Sequence, residues 1–208
     1  MWCGSSCPEP DDAGKPQIPD PKSQIPRDWD SLGIWVLGSG IWDLTITLRG
    51  ATASDAALIL SMIRELAEYE RLAHQVVASE TSVRDTLFGA SPRAEVLIAE
   101  SGGDPAGFAL FLHNYSTFLT KPGIFLEDLY VRPAFRRLGI GRLLLTRLAA
   151  IAVERDCGRF EWNVLDWNES ARQFYESLGA KPMSEWTTYR LTGDALAALA
   201  RGADTRRD

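Results

Sequence analysis

From Leu44 onward, apolar positions recur with periods that alternate between the two of a strand and the 3.6 of a helix. Leu44 to Leu48 alternates, with Ile46 and Leu48 on one face, and predicts a strand. Ser54 stands where a cap belongs, before Leu58, Met62, Ile63 and Leu66 at helical spacing, so a helix is expected to about Tyr69. Ser79 to Leu87 predicts a shorter helix. Ala94 to Ala99 and Gly107 to His113 predict strands around the turn residues Ser101 to Pro105, and Asn114 to Gly123 a loop. There follow an expected strand at 124–131, a helix at 139–156, a strand at 159–165 and a helix at 168–178, closed by Gly179. Two short strands near 181–184 and 187–191 and a helix from Asp194 to Ala200 complete the pattern. The order βααβββαβαββ is that of a layered α/β domain.

Residues 1–43 do not share this regularity. KPQIP at 15–19 is echoed by KSQIP at 22–26, and GIWVL at 33–37 by GIWDL at 40–44. Short words rich in Pro, Gly and Trp cannot bury a core of their own, so 1–43 is expected to be a disordered, low-complexity extension and 44–208 the working domain.

Composition narrows the function classes. The 208 residues are 45% hydrophobic and 24% charged, an ordinary soluble profile. No apolar run approaches the ~18–20 residues of a membrane span, and the first residues have neither the basic nor the apolar region of a secretory signal. A net charge of -6 argues against nucleic acid as a partner. Cys3, Cys7 and Cys157 form neither a disulfide framework nor a zinc set, and His74 and His113 stand apart, so no metal is expected and a reduced, cytoplasmic setting is the simple reading.

Chemistry enters at Arg136, Arg137, Leu138, Gly139, Ile140 and Gly141, between an expected strand and helix. Glycines let a backbone approach a ligand, and the unpaired N–H groups at a helix start point at anionic oxygens. The pattern Arg-x-x-Gly-x-Gly lacks the Gly-Lys-Ser/Thr ending of a P-loop and the G-x-G-x-x-G spacing of a dinucleotide fold. Two readings are open from these residues: a pyrophosphate cradle, or a plain helix cap beside a surface arginine pair. In the later block Asn168 is a plausible N-cap, and Tyr175 falls either in a core stripe or in a site.

Together the turn at 136–141 and the block Asn168, Phe174-Tyr175, Gly179 resemble the GCN5-related N-acetyltransferase (GNAT) superfamily. Arg49 to Asp55, Glu65 to Glu70, Gly107 to Ala109, Leu126 to Asp128 and Trp167 to Glu169 resemble, within it, the diamine (spermidine/spermine) acetyltransferase branch. The resemblance spans about Leu44 to Leu199. It implies a GNAT-like mixed sheet flanked by helices and acetyl-CoA as co-substrate. The coenzyme would lie between splayed parallel strands, 124–131 and 159–165. The backbone of Leu129, Tyr130 and Val131 would pair with the pantetheine arm, and Arg136, Arg137, Leu138, Gly139, Ile140, Gly141 and Arg142 would hold the pyrophosphate. Asn168, Glu169, Ser170 and Ala171 would touch the coenzyme from the far side.

The resemblance also implies roles. Tyr175 matches the proton donor to the leaving thiolate. Glu127 matches the group that relays the amine's proton, through water, and anchors a cationic substrate. As neighbours on a strand, Glu127 and Asp128 face opposite sides unless a bulge re-aims one of them. Tyr69, Glu70, Glu127, Asp128, Glu161, Trp162, Asn163 and Trp186 match substrate-side positions. Ser116 and Thr117 stand where polyamine enzymes carry an acid, and Lys121 adds positive charge, so a shorter amine or a thialysine-like amino acid fits about as well as a polyamine. The expected protein is an N-acetyltransferase for a small amine, working by direct attack in a ternary complex and paired as a homodimer. The alternatives are another amine acceptor (an antibiotic or a peptide) and a non-catalytic acyl-CoA sensor.

Overall fold

The computed structural model describes residues 45–204. The extension expected to be disordered, 1–43, lies outside the described residues. The chain divides into two compact units, one ending at Asn163 and the other beginning at Val164.

The first unit is a five-stranded sheet in sequence order: β1 (Ile46–Gly50), β2 (Glu95–Ser101), β3 (Asp104–Ser116), β4 (Lys121–Val131) and β5 (Phe160–Trp162). The first four strands run antiparallel to their neighbours, and β5 pairs parallel with β4. Antiparallel neighbours need only short turns, whereas the parallel pair needs a crossover, which α3 (Ile140–Glu154) supplies. Between β1 and β2 run α1 (Ala56–Tyr69) and α2 (Glu80–Phe88).

Strand alternation divides the core into two layers. Val96, Ile98, Phe108 and Tyr130 pack against Ile59, Met62 and Leu66 of α1 and Val83 of α2. The intervening residues Leu97, Ala99, Ala109 and Phe111 are as fully buried and belong to the opposite face. There α3 packs on β2, β3 and β4 and buries Ile140, Leu144, Leu148 and Ile151. Each large side chain so enclosed contributes about 1.5–3 kcal/mol.

Local signals explain where α1 begins. The cap is not Ser54. Thr52 and Asp55 form a capping box around the short 3-10 turn Ala53–Asp55, with the Thr52 N–H donating to Asp55 Oδ2 at 2.8 Å. Asp55 is also gripped at both oxygens by Arg49 (2.8 and 2.9 Å), and Arg49 Nε donates to Glu100 at 2.7 Å. Box and ion pair together tie the helix start to β1 and β2. Ser79 caps α2, as its spacing predicts, accepting from the Ser82 N–H at 3.1 Å.

Two expectations are corrected. Residues 114–123 are mostly not loop: β3 continues to Ser116 and β4 starts at Lys121, because His113↔Ile124 through Ser116↔Lys121 pair as a long hairpin. The closing strands near 181–184 and 187–191 do not form, and 180–192 is irregular. Their alternation is real, but a strand exists only with a ladder partner, and Pro182 removes a donor.

The second unit holds α4 (Glu169–Glu176) and α5 (Gly193–Asp204). Asn168 caps α4 by accepting from the Ala171 N–H at 3.2 Å, and Gly179, at φ 89°, ends the turn that follows.

Candidate active site

The turn into α3 combines left-handed backbone with an open place at a glycine. Arg137 sits at φ 67° and Gly139 at φ 80°, so two residues of one short loop take left-handed backbone. For arginine that conformation costs about 1–2 kcal/mol, a strain typical of functional loops. Gly139 is the residue before α3, and the first intrahelical bond runs from the Leu143 N–H to the Gly139 carbonyl at 3.0 Å. A helix leaves the N–H groups of its first turn without acceptors inside the helix, here at the mouth of the loop. Gly141 has no positive φ, and a Cβ built on it would meet nothing nearer than Val131 Cγ2 at 3.9 Å. Packing within the chain therefore does not demand glycine at 141; close approach of a ligand would. By contrast, a Cβ at Gly107 would lie 2.5 Å from the Tyr130 carbonyl, so that glycine serves the sheet itself.

The β4–β5 pair supplies the second element. Its pairing runs Ile124↔Phe160, Phe125↔Glu161, Leu126↔Trp162 and ends there. Beyond Leu126, strand β4 goes on to Val131, and among the described residues no strand pairs with that side of it. An extended ligand can add itself to such an edge.

A bulge occurs at the same place. Leu110 pairs with Asp128 but Phe111 pairs with Leu126, so Glu127 is the extra residue of β4. The bulge resolves the Glu127–Asp128 ambiguity. Asp128 shares the α1–α2 face with Tyr130, Leu126 turns to the α3 face, and Glu127 is exposed at the kink. Asp128 is half-buried, and burial above all, then the charges of Glu127 and Glu70, push its carboxyl up to about 6. Burial also raises Glu70. Three carboxylates thus converge where β4 meets the end of α1.

That helix end is fixed by Arg71, at φ 62°, and by the Leu72 N–H reaching back to the Ala67 carbonyl at 2.7 Å. Tyr69 and Glu70 are consequently delivered side by side to β4. The Arg132 guanidinium clamps Glu65 with two bonds (3.0 and 2.8 Å) and donates to the Pro105 carbonyl at 2.9 Å, which locks α1 to the exit of β4. Beside Arg132, the Glu65 carboxyl lies below the usual range. Sequence reasoning did not find this clamp, because its partners are 67 residues apart.

The other expected site residues fall in different surroundings. Glu161 already accepts from Asn114 Nδ2 at 2.9 Å and is paired with Arg159 at 2.9 Å. Trp162 packs its ring on Phe160 with centroids 4.9 Å apart, and Asn163 ends the first unit. Asn168 to Ala171, Tyr175 and Trp186 belong to the second unit. There Tyr175 lies on α4, half-buried, its ring against Phe174 at 5.5 Å, and Trp186 is 73% exposed. Among the described residues no group of three or more His, Cys, Asp or Glu is placed to hold a metal, and no helix is long and apolar enough to cross a membrane.

A glycine turn thus opens α3 beside a parallel pair that parts at a bulge, with Glu70, Glu127 and Asp128 at the α1–β4 junction. Residues 61–180 match the acetyltransferase (GNAT) family, and the chain belongs to it. Pig thialysine N-epsilon-acetyltransferase is 40% identical over 167 residues, which cover 75% of this chain and 98% of that one. The L-ornithine N5-acetyltransferase NATA1 of Arabidopsis thaliana is 36% identical over 197 residues, covering 73% and 86%. Among solved structures, an integron cassette protein from the V. cholerae mobile metagenome superposes with a TM-score of 0.65 at 26% identity, over 75% of this chain and 98% of that one. Within the family the chain resembles the diamine acetyltransferase branch. It is an N-acetyltransferase of a family that typically depends on acetyl-CoA.

Proposed function

We propose that the protein acetylates the terminal primary amine of a small diamine or diamino acid, by direct attack on acetyl-CoA in a ternary complex. The observation that carries this reading is the turn into α3, where, among the described residues, a Cβ on Gly141 would meet nothing nearer than Val131 Cγ2 at 3.9 Å. The residues fit the coenzyme. Backbone N–H groups of 137–142 would hold its pyrophosphate, and the free edge of Leu129 to Val131 its pantetheine arm. Bound there, acetyl-CoA supplies an activated thioester.

The chain's own groups then do three things. Glu70, Glu127 and Asp128 attract the cationic amine and take up its proton, because an ammonium has no lone pair with which to attack. Glu127 relays that proton through water. Asp128 is a second candidate for the same role, favoured by a carboxyl raised to about 6, nearer to neutrality than an ordinary carboxylate. The family resemblance gives Tyr175, on α4, the part of proton donor to the departing thiolate. A phenol of ordinary pKa about 10 serves a thiol near 8.5 only when well positioned.

A diamino acid suits the site better than a polyamine. Glu161, which matches an amine-side position, is already paired with Arg159 and hydrogen-bonded by Asn114, so one carboxylate fewer is left for a long polycation. Two of the relatives are named for thialysine and L-ornithine, both amino acids with a second amine. As in other members of the branch, a homodimer is the expected assembly. A thiol-release assay with acetyl-CoA and ornithine, thialysine, lysine, putrescine, spermidine and an aminoglycoside tests the proposal. Turnover is expected to be fastest on one of the diamino acids or on putrescine. Coenzyme binding without turnover on any amine would instead identify an acyl-CoA sensor, and ping-pong kinetics would exclude direct attack.

A further inference from the structure

We infer that Arg136 is a positioning residue for Tyr69, the strut through which the coenzyme-gripping loop sets one wall of the amine pocket. The inference rests on the acetyltransferase reading above but concerns a residue whose position suggests a phosphate clamp. The side chain is turned elsewhere. Its Nε–H donates to the Val131 carbonyl at 3.0 Å. Its guanidinium carbon lies 4.8 Å from the centroid of the Tyr69 ring and 5.9 Å from that of Tyr130. Tyr130 is buried on the sheet, while Tyr69, the last residue of α1, is 41% exposed. One planar cation therefore bridges the end of β4, the end of α1 and the start of the loop.

The consequences are physical. A guanidinium attracted to the face of a phenol ring fixes the plane of that ring. With its Nε–H on the Val131 carbonyl and its plane over Tyr69, Arg136 is engaged at the junction of β4 and α1. It adjoins Arg137, whose left-handed backbone makes the loop the strained part of the site. Ordering the loop around a diphosphate thus orders Arg136, and Arg136 orders Tyr69 beside Glu70.

The test compares Arg136→Met, Arg136→Lys, Tyr69→Leu and the double variant Arg136→Met/Tyr69→Leu on the full chain. Coenzyme A affinity is measured by calorimetry and amine KM and kcat by thiol release, with melting temperatures to verify folding. Arg136→Met is expected to raise the amine KM roughly three- to fivefold, the size of one cation–ring contact that keeps some solvent. The coenzyme dissociation constant and kcat should stay within about twofold. Arg136→Lys keeps a charge over the ring and should recover part of the loss. In the Tyr69→Leu background Arg136→Met should add nothing. If Arg136→Met instead weakens coenzyme A about tenfold or more at unchanged amine KM, the residue is a phosphate clamp and the inference fails. Multiplying effects of the two substitutions would likewise overturn it. A wild-type chain that binds no coenzyme or turns over no amine would sink the acetyltransferase reading itself, and this inference with it.

Discussion

Replacing Asp128 by asparagine isolates the cost of keeping a carboxylate among Glu70, Glu127 and the α1–β4 junction. In the folded chain its carboxyl is raised from the ordinary 3.8 to about 6, chiefly by burial. A raised carboxyl binds its proton more tightly folded than unfolded. Its favourable contribution is therefore complete below the unfolded value and is lost as the pH climbs through about 6. At about 1.36 kcal/mol per pKa unit, the ionised side chain costs the fold up to about 3 kcal/mol at alkaline pH, and less where solvent reaches the carboxylate. The asparagine variant escapes this cost. Urea unfolding of both proteins at several pH values is the assay. Between about pH 4.5 and 8.5 the stability difference should move in favour of Asp128→Asn by about 1–2 kcal/mol. Any packing defect caused by the amide would shift all points equally and leave the slope intact. A difference that is flat with pH, or that moves toward the wild type as pH rises, would refute the reasoning and remove Asp128 from the carboxylate cluster.

Three further outcomes follow from named contacts. Gly141→Ala should leave the protein as stable as before or up to about 1 kcal/mol more so, since alanine favours helix and its Cβ has room, yet it should weaken coenzyme A binding; unchanged calorimetric affinity would contradict close approach at that residue. Tyr175→Phe should lower kcat about tenfold or more at near-constant coenzyme affinity, and an unaltered turnover would strip Tyr175 of its donor role. Asp55→Asn breaks the two-bonded grip of Arg49 and should cost about 2 kcal/mol near neutrality. The Arg49 guanidinium holds the Asp55 carboxyl below its ordinary value, so this penalty should shrink as the pH falls through that depressed value, which denaturant melts at acid pH would show.

The helices were legible in the chain itself. Caps and stops act within four residues, so Ser79 before α2, Asn168 before α4 and Gly179 after it could be read directly. The glycine turn was legible for the same reason, since a left-handed residue such as Gly139 and an open place such as Gly141 are local demands. Strand existence was legible only where the run was long and apolar. The segment 187–191 alternates as well as β1 does, and yet it stays irregular, because a ladder needs a partner that periodicity does not name. The hairpin extending to Ser116 and Lys121 was missed for the converse reason: its polar tip reads as loop until the pairing is seen.

The site divides along the same line. Sequence alone determined the family, through its resemblance, and the residue types available to a ligand, because those are written in a few consecutive positions. Only the tertiary structure decided which way they face. One extra residue in the register of β4 against β3 sends Asp128 inward and leaves Glu127 at the kink. Partners distant in sequence turn Arg132 toward Glu65 and Arg136 toward Tyr69. Register and long-range charge pairing are properties of chain segments brought together by folding, so no window on the sequence contains them.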